Sequence, residues 1–279
     1  MAIASAPGRN RDHFIIPALI ERIGMDAVIV NEIRKSFNSY PAVDGVSFSI
    51  KKGEVFGFLG PNGAGKTTTI RILSGLLKPS SGKALIMGND VVKEPVEVKK
   101  VIGVVPETSN LYPELTCFDN LVFAGRLYGM KSEKVKTKAD ELLTMFGLGE
   151  KRNALFSKLS GGMKRRLTMA ASLIHEPPVL FLDEPTTGLD VMSARALREI
   201  IQSLKQKGTT ILLTTHYIEE ADRLCDRIAI IVKGRIIVID TPEALKKSVS
   251  AVNPSLEDAF IEITGLKSEL MFQEKEGGR

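Results

Sequence analysis

At 279 residues, 43% hydrophobic and 25% charged, the chain is long enough for one sizeable domain with appendages and has a globular composition. Its net charge of +5 suits an anionic ligand or an acidic membrane surface. That charge is too mild to argue for nucleic acid, and no basic stripe is interleaved with aromatics, so no nucleic-acid partner is expected. Cys117 and Cys225 are far apart and make no disulfide framework, which points to a reducing compartment. No apolar run approaches the roughly 18–20 residues of a membrane helix, so any spanning falls to another subunit.

Residues 1–24 stand apart from the rest. The stretch 14–23 is apolar, but Pro17 interrupts it and no A-x-A cleavage site follows, so a signal peptide is a poor reading. The segment reads as a poorly ordered extension; a short amphipathic segment touching a partner or a membrane, and a natural start at Met25, are the alternatives. Strands are expected at 26–37 and 43–50, where apolar and other residues alternate, and at 54–59. A helix is expected over 67–77, a turn at Pro79-Ser80-Ser81-Gly82, then strands at 83–87 and 101–105. From 118 to 146 the period turns helical, broken near Gly129. The first helix there is expected to bury Leu121, Val122 and Leu127, the second Val135, Ala139, Leu142, Leu143 and Phe146. Helices between strands suggest an inserted helical subdomain at about 106–175. Short apolar strands follow at 179–182 and 210–214, helices at 193–205 and 218–224, and a hairpin at 227–238 turning on Lys233-Gly234. From 241 the chain reads as mostly helical with a charged tail.

The stretch Gly60-Pro61-Asn62-Gly63-Ala64-Gly65-Lys66-Thr67 fits G-x-x-x-x-G-K-[ST], between a strand and a helix as a P-loop requires. Glycines let backbone N–H groups turn inward around phosphate oxygens, and the following helix, with Thr68 in its first turn, points its positive end at them. Lys66 brings a full positive charge to the β/γ-phosphates, and the Thr67 hydroxyl can ligate Mg²⁺. At the end of the 179–182 strand, Asp183 is placed to hold Mg²⁺ and Glu184 to orient and deprotonate an attacking water. Leu159-Ser160-Gly161-Gly162-Met163 opens a helix running to about residue 175. Ser160 can cap that helix or, with Gly161 and Gly162, bind an anion; one geometry serves both.

With these three motifs in this order the chain resembles the ATP-binding cassette family over about 26–265. The resemblance implies an α/β P-loop NTPase fold: a mainly parallel sheet flanked by helices, an N-terminal antiparallel β subdomain and an inserted α-helical subdomain. It implies domains at 1–24 (extension), 25–240 (ATPase domain) and 241–279 (C-terminal helical extension and charged tail). It also implies a head-to-tail dimer holding two ATP molecules with Mg²⁺, in which Ser160, Gly161 and Gly162 of one subunit cap the nucleotide on the other's P-loop. On the same resemblance Gly188-Leu189-Asp190 matches the loop that crosses the dimer, and His216 matches the switch histidine at the γ-phosphate. Phe37 matches the aromatic that stacks on adenine, with Tyr40 as its rival.

Two residues depart from the family pattern. Met163 stands where a glutamine is common, away from the phosphate contacts. Glu107 replaces the glutamine that joins the core to the helical subdomain; it can still bind Mg²⁺ but cannot donate an amide hydrogen bond. That glutamate, with Asn110-Leu111-Tyr112-Pro113-Glu114-Leu115-Thr116 and Pro254-Ser255-Leu256-Glu257-Asp258-Ala259-Phe260, is similar to the exporter-type branch serving drug, antibiotic, sodium, polysaccharide or haem-related permeases. The expectation is an ATPase subunit, a homodimer by preference, peripheral on the cytoplasmic side of the cell membrane. It would drive a separate permease docked near 107–116. A single P-loop, the short interval to Ser160 and the lack of an N-K-x-D motif argue against ribosome-acting, DNA-repair and GTPase readings.

Overall fold

The computed structural model describes residues 25–250 and 253–265. The extension at 1–24 and the tail beyond 265 lie outside the described residues. Strands β1 (Asp26–Phe37) and β2 (Tyr40–Lys51) form an antiparallel hairpin, joined on the other side of β1 by β4 (Ser81–Ile86) and the two-residue β5 (Asn89–Asp90), in the order β2-β1-β4-β5. The second sheet runs β10-β9-β3-β8-β7-β6, built from β3 (Val55–Leu59), β6 (Ile102–Val105), β7 (Val179–Asp183), β8 (Thr210–Thr215), β9 (Arg227–Val232) and β10 (Arg235–Asp240). All of its pairings are parallel except β10 with β9.

The central strands β3, β7 and β8 are buried along their whole length, and their near-continuous apolar sequence follows from having both faces covered. Period-two alternation sorts their side chains. Val55, Leu59, Leu180, Leu182, Ile211 and Leu213 enter the helical-side core; Phe56, Phe58, Val179, Phe181 and Leu212 enter the core shared with the first sheet. In that second core Phe48 from β2 stacks on Phe56 at 5.2 Å and meets Phe58 edge-on at 5.0 Å, which fastens the antiparallel sheet to the parallel one.

Helix α1 (Lys66–Leu73) leaves β3 through the glycine-rich loop and ends earlier than the sequence suggests, because Gly75 turns left-handed at φ 69° just after its cap. A helix the sequence reading passed over, α2 (Pro95–Val101), precedes β6; only Val98 of it is buried, so it carries no periodic signal. In the interval between β6 and β7, α3 (Cys117–Leu127) and α4 (Ser132–Met145) pack together, followed by α5 (Gly161–Ser172). Leu121 and Val122 are buried as expected, but Leu127 is 71% exposed, which corrects that part of the reading. A six-residue step from Leu121 does not return to the same helix face; Gly125, four residues on, does, and a Cβ there would stand 2.2 Å from Val135. Helices α6 (Val191–Gln206), α7 (Ile218–Leu224), α8 (Pro242–Lys247) and α9 (Leu256–Thr264) complete the order. Among the described residues no helix is long and apolar enough to cross a membrane.

Candidate active site

Strand order decides what meets what. β8 lies between β3 and β7, and its carboxyl end is level with both: Leu59 pairs with Thr215, and Asp183 with Thr214. The glycine-rich loop after β3, the acidic pair after β7 and His216 after β8 therefore converge at one rim of the sheet, where open parallel sheets bind ligands. The loop needs its glycines for space. A Cβ on Gly60 would lie 2.2 Å from the Ile231 carbonyl oxygen, and one on Gly65, at φ 99°, 2.4 Å from that of Ala42. No side chain caps α1 and no acidic residue sits in its first turn, so its leading N–H groups face the loop without a competing carboxylate.

Buried Lys66 donates from Nζ to the carbonyls of Gly60 (2.7 Å) and Pro61 (3.1 Å) and pairs with Glu184 Oε1 at 3.1 Å. Glu184 Oε2 faces His216 Nδ1 at 2.5 Å and accepts from Thr187 Oγ1 at 3.1 Å. Burial pushes the Glu184 carboxyl up, but the His216 contact and the Lys66 charge outweigh it and hold the group below the ordinary glutamate range. Its backbone is left-handed at φ 49°, a costly conformation for a residue with a Cβ, and its N–H donates to the carbonyl and hydroxyl oxygens of Thr214. Thr214 Oγ1 in turn donates to Asp183 Oδ1 at 2.6 Å, and Thr67 Oγ1 lies 3.1 Å from the same oxygen. A hydroxyl and a carboxylate oxygen thus stand together where a divalent ion would need them. Among the described residues no group of three or more His, Cys, Asp or Glu could cage a metal by itself. That donor set fits Mg²⁺, which keeps waters and shares its coordination between one or two protein oxygens and substrate phosphates.

Around this centre lies a cleft of about 490 Å³ bordered by Phe37, Tyr40, Asn62, Gly63, Ala64, Gly65, Lys66, Thr67, Thr68, Glu107, Glu184 and His216. Phe37 and Tyr40 face each other across the tip of the β1–β2 hairpin and are 48% and 59% exposed, so both aromatics are available to a planar base. Lys35 Nζ lies 5.4 Å from the Phe37 ring centroid. Glu107 is exposed on the cleft wall. A larger cleft, about 830 Å³ between α6 and α7, contains none of the phosphate-loop residues.

Seven sequence-predicted residues do not border the nucleotide-sized cleft. Gly60, Pro61 and Asp183 lie just behind it, bonded to Lys66 and Thr67, whereas Ser160, Gly161, Gly162 and Asp190 have no such link to it. Ser160 caps α5 by accepting from Met163 N at 3.3 Å; Gly162 packs so closely on α6 that a Cβ would stand 2.3 Å from Ser193 Oγ. Asp190 caps α6, taking bonds from Ser193 N (2.9 Å) and Ser193 Oγ (2.7 Å), which hold its carboxyl below the usual aspartate range. Conversely, Thr187 and Thr214 bond to the acidic pair and were not singled out from the sequence.

The profile described as ABC transporter matches residues 43–187. The chain belongs to the ABC transporter family. It is 46% identical to the daunorubicin/doxorubicin resistance ATP-binding protein DrrA of Streptomyces peucetius over 81% of this chain and 68% of that one. It is 44% identical to the Nod factor export ATP-binding protein I of Paraburkholderia xenovorans over 78% and 72%. Among solved structures, an ATP-binding subunit of an ABC transporter superposes with a TM-score of 0.78 at 31% identity, covering 85% of this chain and 99% of its own. A dimeric ATP-binding cassette in a post-hydrolysis state with ADP and Pi superposes with a TM-score of 0.70 at 28% identity, covering 77% and 98%. As a member of this ABC family the chain is an ATP-binding ATPase, and the mixed α/β fold with its parallel-rich sheet is the fold of the cassette.

Proposed function

We propose that the protein is the ATP-hydrolysing subunit of an ABC exporter, working as a head-to-tail homodimer against a separate membrane permease on the cytoplasmic face. The observation that carries the reading is the buried Lys66–Glu184–His216 cluster at the mouth of a complete phosphate loop. In this reading the amides from Gly60 to Gly65 and the start of α1 take the phosphates of ATP, with Lys66 moving its charge from Glu184 to them. Thr67, Asp183 and Glu107 would hold Mg²⁺, which would neutralise charge developing on the phosphates. Glu184 accepts a proton from water as the water oxygen attacks the γ-phosphorus, and the bond to the bridging oxygen breaks to leave ADP and phosphate. His216 orients Glu184 and contacts the γ-phosphate; Phe37 or Tyr40 stacks on the adenine.

Ser160, Gly161, Gly162 and Asp190 serve the nucleotide of a second copy, which agrees with their lying outside this chain's own cleft. The dimeric cassette with ADP and Pi supports such pairing, and the resistance and Nod factor export relatives support an exporter. The permease docks near 107–116, where Tyr112 is exposed and meets Phe123 edge-on at 5.0 Å. The domain limits proposed are 25–240 for the ATPase domain, with its helical insert at 106–175, and 241 onward for the C-terminal extension.

Glu184→Gln tests the reading. Removing a general base costs roughly 10²–10⁴-fold in turnover, so the variant should bind ATP with near wild-type affinity and lose Mg²⁺-dependent phosphate release by that factor. A variant that hydrolyses like the wild type overturns the assignment of the base.

A further inference from the structure

Arg165, on the second turn of α5, is 7% exposed and has no use in the chemistry described above. Its guanidinium carries five N–H donors in a rigid fork. Every one of them is directed at a main-chain carbonyl. Nε donates to Pro185 at 2.8 Å; Nη2 donates to Asp183 at 2.7 Å and Glu184 at 3.0 Å; Nη1 donates to Glu107 at 3.1 Å and to Pro106. Three of these carbonyls are consecutive and belong to the turn carrying Asp183 and Glu184. The other two belong to the turn carrying Glu107.

The positions of these bonds are informative. The parallel pairing of β6 with β7 ends at Val105 with Leu182. The Arg165 fork takes over one residue later on each strand, where the β6–β7 ladder has ended and only the β8 side still pairs with Asp183 and Glu184. The turn it holds includes Glu184 at φ 49°, a conformation that persists only when its surroundings over-determine it. The acceptors are carbonyls rather than carboxylates, so the side chains of Asp183, Glu184 and Glu107 keep their oxygens for other partners.

We propose that Arg165 is a positioning residue for hydrolysis: it sets the backbone of the Asp183–Pro185 and Pro106–Glu107 turns jointly from the helix that Ser160 caps. It rests on the reading of Glu184 as the base. A displacement of α5 is thereby transmitted to the hydrolytic turn of the same chain, five residues from the helix end that serves the second copy. Because strand pairing holds β6 and β7 independently, the fork governs alignment more than it governs folding.

The test uses full-length Arg165→Gln and Arg165→Lys, measuring MgATP turnover, affinity for a non-hydrolysable ATP analogue, and thermal melting. Misplacing a catalytic group by about 1 Å costs on the order of 10²-fold. The expected result is a kcat loss of that order in Arg165→Gln with nucleotide affinity close to wild type; melting falls, because buried carbonyls lose their donors, but the chain stays folded at the assay temperature. Arg165→Lys, which keeps the charge but loses the fork, should not restore kcat. In single-turnover assays, Arg165→Gln added to Glu184→Gln should cost little more than Glu184→Gln alone, because both act on one step. Unchanged kcat in Arg165→Gln, full rescue by lysine, or equal losses of affinity and kcat would each overturn the proposal. So would failure of both variants to fold, which would make Arg165 a fold-holding residue. Turnover retained by Glu184→Gln sinks the base assignment and this inference together; a dead Glu184→Gln beside a fully active Arg165→Gln sinks this inference alone.

Discussion

At the scale of single residues, the site is an arrangement for keeping one carboxylate ionised inside the protein. Glu184 is 7% exposed, and burial alone would raise its pKa; His216 at 2.5 Å and Lys66 at 3.1 Å reverse that. A carboxyl with a folded pKa below its unfolded value contributes stability that is present in full above the unfolded value, about 4.3. That contribution is lost as pH falls through the folded value. The melting-temperature gap between wild type and Glu184→Gln should therefore be widest near neutral pH and shrink below about pH 4. A gap that stays constant across thermal melts from neutral to acid would remove the linkage. The phosphate loop, Asp183 and Glu184 were legible in the sequence because phosphate chemistry prescribes residue types in a strand–loop–helix and strand-end context; His216 came only through the family resemblance. Thr214 was hidden inside an apolar strand, and Arg165 inside the basic run Lys164-Arg165-Arg166, which reads as a solvated face. The partners of Arg165 are carbonyls, which every residue has and no pattern can single out.

At the scale of elements, hydrophobic period sufficed wherever a segment buries one regular face. Apart from β5, the strands of both sheets and helices α3 to α7 fall within a few residues of their expected places. β5 and α2 escaped notice because they are short and bury a single apolar side chain or none, so tertiary contacts rather than their own pattern order them. Helix α6 is a case where element and function share a residue. Asp190 is its cap and also the end of the loop that the family resemblance sends across the dimer. Asp190→Ala should lose the cap and cost about 1 kcal/mol, lowering the melting temperature by roughly 2–4 °C. Asparagine caps as well as aspartate, so Asp190→Asn should melt like the wild type. If turnover falls in Asp190→Asn without any change in melting, the carboxylate acts beyond the helix; if turnover also holds, its role ends at the cap.

At the scale of the whole molecule, the proposed head-to-tail pairing turns on where the start of α5 sits. Ser160 and Gly161 are exposed at the start of α5, apart from the cleft that holds Lys66. Gly161 allows this to be tested without disturbing the fold. A Cβ added there meets nothing within 4 Å, whereas one on Gly162 would collide with Ser193. An aspartate at the first position of a helix is favoured by the helix dipole, so Gly161→Asp should melt at or slightly above the wild-type temperature. The same negative charge would face the triphosphate bound by a second copy, where like charges repel strongly once water is excluded. In a Glu184→Gln background that cannot turn ATP over, light scattering should then record the mass of two chains with ATP when Gly161 is intact and of one chain when it is aspartate. Should the aspartate variant pair as readily as its parent, the helix start at Ser160 does not meet the partner's nucleotide, and the head-to-tail arrangement has to be abandoned.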